Sequence, residues 1–285
     1  MKMKNSVILI DKPSGITSFD VIRKLRKITG IKKIGHAGVL DKMASGLLVC
    51  ATNQATKLLS IFENGYKVYL AEFSFGLRSD TYDIWGRILE NRGIKSIDGD
   101  ELNKVIGEFV GKIKQKPPPF SNVRINGKRL YRYALEGESV EVKEREVYIH
   151  SIDILSVKQN RAVLRITCSK GTYVRSLAND IGNRLGIGGV VSSLRRLYVH
   201  PFSVDDAGDV YNPNVLEVSK ALSFMPKIVV ELNMMSKIKN GFPICKILKC
   251  FELESDFYKI VGPSEETVAV IEKVHKGYSY RVIFT

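Results

Sequence analysis

Residues 146–157 and 161–168 both alternate apolar with polar side chains, and the Gln159-Asn160 pair between them reads as a turn, so the spacing predicts a β-hairpin. A helix is expected soon after it. Beyond Gly171, Val174, Leu177, Ala178, Ile181 and Leu185 keep helical spacing until Gly186, Gly188 and Gly189 end it. Upstream, residues 7–10 read as a short buried strand and residues 11–15 as a turn. Thr17 or Ser18 then caps a helix with Val21, Ile22, Leu25 and Ile28 on one face and Arg23, Lys24, Arg26 and Lys27 mostly on the other. Residues 67–75 alternate as a strand, 87–90 can pair with it across a glycine-containing turn, and Asp100 can cap a helix through Phe109. Strands and helices mix without regular βαβ alternation, which favours an α+β fold with a mixed, largely antiparallel sheet. From about Lys227 the texture changes to short β-rich runs, including 267–274 and 278–284, so two domains are expected, 1–226 and 227–285. Pro117, Pro118 and Pro119 read as a stiff local loop rather than a linker.

The 285 residues suffice for one large domain and a small one, but their charge is unusual: 44 Lys and Arg against 30 Asp and Glu leave +14. Counterion release and electrostatic steering then favour a polyanionic partner, and nucleic acid is the first candidate. A membrane partner is not expected, for no long apolar run and no separate basic amphipathic helix stands out. The apolar stretch near the amino terminus is too short for a secretory signal core, so the cytoplasm is the expected location. Cys50, Cys168, Cys245 and Cys250 lack Cys-x-x-Cys spacing and the four histidines are scattered. Neither a disulfide framework nor a metal site is suggested, and the cysteines read as buried free thiols.

One segment carries candidate chemistry. Between Lys33 and Val49, a lone histidine, His36, precedes a lone carboxylate, Asp41, in a loop punctuated by Gly35, Gly38 and Gly46. Those glycines permit backbone angles and close approaches that let a loop present Asp41 to a substrate. The alternative is that Asp41 only caps the turn before Leu47, Leu48 and Val49.

Read whole, Gly35-His36-Ala37-Gly38-Val39-Leu40-Asp41-Lys42-Met43-Ala44-Ser45-Gly46 resembles the active-site loop of the TruB-type tRNA pseudouridine-55 synthases. Four further segments resemble that family in the same order. Residues 11–18 are similar to its Lys-Pro-x-Gly-x-x-Ser segment, and Lys67-Val68-Tyr69 to its Lys-x-Tyr strand. Residues 115–137, with Pro117-Pro118, Ser121, Gly127 and Leu130-Tyr131, resemble a loop-helix segment carrying Arg124, Lys128, Arg129 and Arg132. Gly171-Thr172-Tyr173-Val174-Arg175 matches its Gly-Thr-Tyr-x-Arg motif, and Leu194-Arg195-Arg196 follows downstream. The resemblance implies a pseudouridine synthase fold with a small carboxy-terminal PUA-like RNA-binding domain. It implies Asp41 as the catalytic residue and His36, Tyr69, Tyr173, Arg175, Leu194 and Lys12 as substrate-binding residues. Tyr69 would lie against the target base, Leu194 would pack its pocket, Lys12 would face the active-site region, and Arg175 would fix the Asp41 carboxylate.

The implied activity is isomerisation of a uridine, uridine 55 in the T loop of tRNA, to pseudouridine, by a monomer that needs no metal or organic cofactor. A stacked uridine must first leave its helix, and His36 would occupy the space it vacates. Whether Asp41 attacks the sugar, attacks the base or removes a ribose proton stays open. Val39 and Lys42 stand where threonine or alanine and proline are usual, and Phe120 and Asn122 also depart from the family pattern. Two alternatives follow: an RNA-binding or RNA-folding protein without chemistry, and a duplex-DNA binder, for which no recognition helix or zinc finger is visible.

Overall fold

The computed structural model of the chain describes residues 5–248 and 253–285. Its main feature is a ten-stranded sheet, along which Asn214–Glu217, Ser6–Lys12, Ser45–Thr52, Gly189–Val199, Lys67–Phe75, Arg161–Cys168, Arg145–Lys158 and Gly111–Gln115 are successive neighbours. All of these pairs are antiparallel except Ser45–Thr52 with Gly189–Val199, so the sheet is mixed and largely antiparallel, as expected. The expected hairpin is present: Lys158 pairs with Arg161, and Gln159, at φ +54, turns the chain.

Helices Ser18–Thr29, Gly99–Gly107 and Val174–Arg184 cover one face of the sheet. Ser18–Thr29 starts in a capping box between Thr17 and Asp20, ends at left-handed Gly30, and buries Val21, Ile22 and Leu25. Val174–Arg184 adds Leu177, Ala178 and Ile181 to the same core, against Ile8, Leu48, Phe73 and Ile166 of the sheet. The opposite face of the first strands is covered as well. Val7, Leu9, Leu47 and Val49 pack with Leu58, Phe62 and Phe202, which explains why these strands read as continuous apolar runs rather than as alternation.

The second sheet runs Lys227–Val229, Phe257–Val261, Thr267–Val274, Gly277–Ile283, with a core of its own that includes Met235, Ile238, Ile260 and Ile271. It is joined to the first body, because Val270 and Val282 belong to the cluster of Leu58 and Phe62, and the Arg281 guanidinium donates to the Lys57 carbonyl at 3.0 Å.

Four local expectations need correction. Ile28 is exposed, because it stands in the last helical turn, past the cover of the sheet. Gly76, at φ +83, bends the chain after Phe75, so Ile88–Asn91 pairs with Leu77–Ser79 and not with the long strand. Asp98, not Asp100, caps the helix Gly99–Gly107, accepting from the Asp100 and Glu101 amides at 2.8 and 3.1 Å. Cys50 and Cys168 are buried free thiols, which burial pushes up to about 12 and about 11, whereas Cys245 is disulfide-bonded. Cys250 lies outside the described residues. Among the described residues, no helix is long and apolar enough to cross a membrane.

Candidate active site

The strand Ile34–His36 pairs antiparallel with Ser45–Thr52, and residues 37–44 form the connection that carries Asp41. Gly46 is what lets this connection lie down on the sheet. It sits at φ +101, and a Cβ there would come within 2.3 Å of the Arg196 carbonyl oxygen. The earlier turn brackets the loop from the other side. The Leu40 amide donates to Ser18 Oγ at 2.9 Å, the Gly15 amide to the Lys42 carbonyl at 2.8 Å, and Ser14 Oγ to the Met43 carbonyl at 2.7 Å. Lys42 is exposed, and this bracket constrains the backbone where the family usually has a proline. Lys12 is wholly buried and shapes that bracket by donating from Nζ to the Pro13 and Ile16 carbonyls at 2.9 and 2.8 Å.

Asp41 and Arg175 meet across 134 residues of chain. Arg175 Nε donates to Asp41 Oδ2 at 2.8 Å and Nη2 to Oδ1 at 2.9 Å, a two-pronged pair that fixes the carboxylate plane. The arginine is itself held: Nη1 donates to the Thr81 carbonyl at 2.9 Å and Nη2 to the Phe120 carbonyl at 3.1 Å. Because Phe120 contributes its backbone, its departure from the family residue leaves this contact intact. A second carboxylate, Asp83, lies 3.6 Å from Nη1; burial pushes it up, with Arg175 opposing. Asp83 is held in turn, accepting from Thr81 Oγ1 at 2.9 Å and the Trp85 amide at 3.0 Å, in a turn where Tyr82 adopts φ +61. The helix start that carries Arg175 is fixed by Gln115, whose Nε2 donates to the Tyr173 carbonyl at 3.0 Å and whose Oε1 accepts from the Tyr173 amide at 2.8 Å.

This pair lines a cavity of about 240 Å³. Tyr69, Tyr173, Leu194, Val174, Lys67 and Arg196 also line it, so the structure brings Asp41, Tyr69, Tyr173, Arg175 and Leu194 to one place. Burial pushes the Tyr69 hydroxyl up, with Arg196 beside it pulling the other way, so the phenol is neutral at pH 7. Two of the residues singled out in the sequence lie elsewhere. Lys12 stands behind the site without lining the cavity. His36 lines an adjoining groove with Asp41, Phe19, Lys42, Arg124 and Arg129. Burial, and then the Arg196 charge, lower His36 below its ordinary range, which leaves it uncharged near pH 7.

Asp83, Thr81 and Gln115 are the partners that sequence reading missed as site residues. Gln115 was visible only as the start of a family-like segment, and nothing local marks Asp83, whose role arises from packing against a helix more than 90 positions away. Among the described residues, no group of three or more His, Cys, Asp or Glu is arranged to hold a metal ion.

Residues 26–174 match the TruB family pseudouridylate synthase (N terminal domain). The chain is similar to tRNA pseudouridine synthase B of Clostridium kluyveri, 39% identical over 84% of this chain and 85% of that one. It is also similar to the proteins of that name from Clostridium tetani, at 38% over 96% and 97%, and Borreliella burgdorferi, at 37% over 99% and 100%. In fold it resembles a chain of an H/ACA RNP bound to a substrate RNA containing 2′-deoxyuridine (TM-score 0.69, 22% identity, 98% of this chain and 85% of that one). It likewise resembles a chain of a Cbf5-Nop10-Gar1 complex (TM-score 0.69, 23% identity, 98% and 84%).

Proposed function

The chain belongs to the TruB family of pseudouridylate synthases, and on that premise we propose that Asp41 drives the isomerisation of uridine 55 in the T loop of tRNA to pseudouridine. The protein is a tRNA-modifying isomerase: it breaks the C1′–N1 bond, turns the uracil, and rejoins it to the ribose through C5. The observation that carries Asp41 into this role is its two-pronged pairing with buried Arg175 at the wall of a one-base cavity. A carboxylate so held keeps its geometry while a nucleotide enters, which is the preorganisation that chemistry at a glycosidic carbon needs.

The cavity admits a base only after it has left its stack, so binding and flipping are one event. Tyr69 packs against the ring, Leu194 and Tyr173 close its sides, and His36 fills the place the nucleotide vacates from the adjoining groove. Uncharged, His36 can stack on neighbouring bases without burying a charge. Arg124, Arg129 and the basic face of Ser18–Thr29 hold the T stem by its phosphates. Lys12 acts from behind the loop as a brace. Residues 227–285 form a second RNA-holding module, and the protein acts as a monomer in the cytoplasm.

A tRNA transcript and a copy in which only the T-loop uridine is replaced by cytidine test this reading. After incubation, digestion and chromatography, pseudouridine is expected from the first alone. Equal amounts from both would place the target elsewhere in the tRNA.

A further inference from the structure

Three cations are buried at the cavity wall and behind it without an acid of their own. Arg196, Lys12 and Lys67 are 1%, 0% and 5% exposed, and among the described residues none has a carboxylate within ion-pair distance. They are held by carbonyls instead: Arg196 Nε donates to Leu47 at 2.8 Å and Nη2 to Gly38 at 3.4 Å, and Lys67 Nζ donates to Gly65 at 2.7 Å and to Glu63. The register shows that the arrangement belongs to the sheet. Lys12 pairs with Gly46, Gly46 with Arg196, and Arg196 with Tyr69, a row across four adjacent strands beneath the loop of Asp41, and Lys67 stands two positions before Tyr69 on the last of them.

The nearest acids do not neutralise this row. Asp41 is engaged by Arg175, and Glu63 is exposed at the rim. The strain of the arrangement is visible in the lysines. Burial, with Arg196 adding repulsion, lowers both Lys12 and Lys67 to about 8, although Asp41 and Asp20 pull Lys12, and Cys168 and Glu63 pull Lys67, the other way. Buried charge without a partner is costly, and where it faces a cavity it marks a place at which opposite charge develops.

We propose that Arg196 and Lys67, which line the cavity, and Lys12 behind them supply the counter-charge for a uracil anion released inside it. This rests on the function proposed above and deepens it. The C1′–N1 bond breaks with its electron pair remaining on N1 and spreading onto O2 and O4 of the ring. Asp41 either bonds to C1′ or takes the C2′ proton, and in both cases the base departs as an anion. After the ring turns, C5 bonds to C1′, the Asp41 step reverses, the C5 proton leaves and N1 gains one, so atoms and charge balance. A route in which Asp41 adds to C6 of the base places anionic charge on O4 as well, so the buried cations serve a ring anion in each case.

The electron demand of the ring tests the counter-charge. 5-Fluorouridine carries a ring fluorine that withdraws electrons and makes the departing base a more stable anion. Single-turnover cleavage of C1′–N1 is measured on tRNA carrying uridine or 5-fluorouridine, with tRNA affinity measured separately. Arg196→Gln slows uridine by about 10²-fold or more, the scale of losing one preorganised donor, and slows 5-fluorouridine at least tenfold less, with tRNA affinity unchanged. Arg196→Lys recovers part of the rate. Lys67→Met gives the same substrate dependence and serves if Arg196→Gln does not fold. Equal losses on both substrates, or full rate in both variants, would overturn the proposal. Absence of rearrangement by the unaltered protein, with tRNA bound, would overturn the functional reading and this inference with it.

Discussion

Arg175 is the residue around which the site is organised, because its guanidinium meets Asp41, Asp83 and the carbonyls of Thr81 and Phe120 at once. Asp83 does not itself line the cavity, so its effect is on the orientation of the pair. Asp83→Asn is expected to lower kcat by about 10- to 100-fold, the scale of a displaced reacting group, with KM for tRNA nearly unchanged; steady-state kinetics would show it. The buried lysines set a pH limit. Lys67, facing Arg196, Glu63, Cys168 and Lys170, and Lys12, facing Asp41, Arg196 and Asp20, carry their charge below about 8 and lose it above. The single-turnover rate should fall as pH rises through that value. Unfolding is not the cause through these groups: their folded values lie below the ordinary 10.5, so the unfolded chain holds these protons more tightly and their contribution to stability grows from about 8 towards 10.5. Asp41, Tyr69 and Arg175 were legible because each sits in a short segment resembling a family motif. Asp83 was not, since its partner is fixed only by tertiary packing.

At the scale of elements, the site is a junction between the Asp41 hairpin, the central strand Gly189–Val199 and the helix Val174–Arg184. Gly46 is the contact that closes it. Gly46→Ala would force a Cβ against the Arg196 backbone at a left-handed φ, and about 3 kcal/mol of stability should be lost, a fall of roughly 6–12 °C in Tm by calorimetry. Activity should fall with it, because the same contact seats Arg196. The hairpin and this helix were readable from the sequence because their periodicity runs over many residues and glycines mark their ends. The pairing of Ile88–Asn91 was not, since a single bend at Gly76 redirected it, and neither was the Asp98 cap, since two aspartates two positions apart offer the same chemistry.

At the scale of the molecule, the net +14 favours a polyanionic partner, and the groove beside Asp41 carries Lys42, Arg124 and Arg129. Binding through phosphates releases counterions, so tRNA affinity should fall by about 10³-fold between 50 and 200 mM salt, read by filter binding; a flat response would place the affinity in base contacts instead. The change of texture near Lys227 was plain in the sequence, and the second sheet begins there. What could not be read was that Val270 and Val282 would pack into the core of Leu58 and Phe62, because single apolar residues in alternating strands do not announce which body they will join. The central claim is that Asp41 isomerises a uridine of tRNA, and tritium release from tRNA labelled at uracil C5 tests it most directly, since rejoining through C5 expels that hydrogen. The unaltered protein should release tritium and Asp41→Asn should bind the same tRNA with release slowed by orders of magnitude; release by both at equal rates, or by neither with tRNA tightly bound, would contradict it.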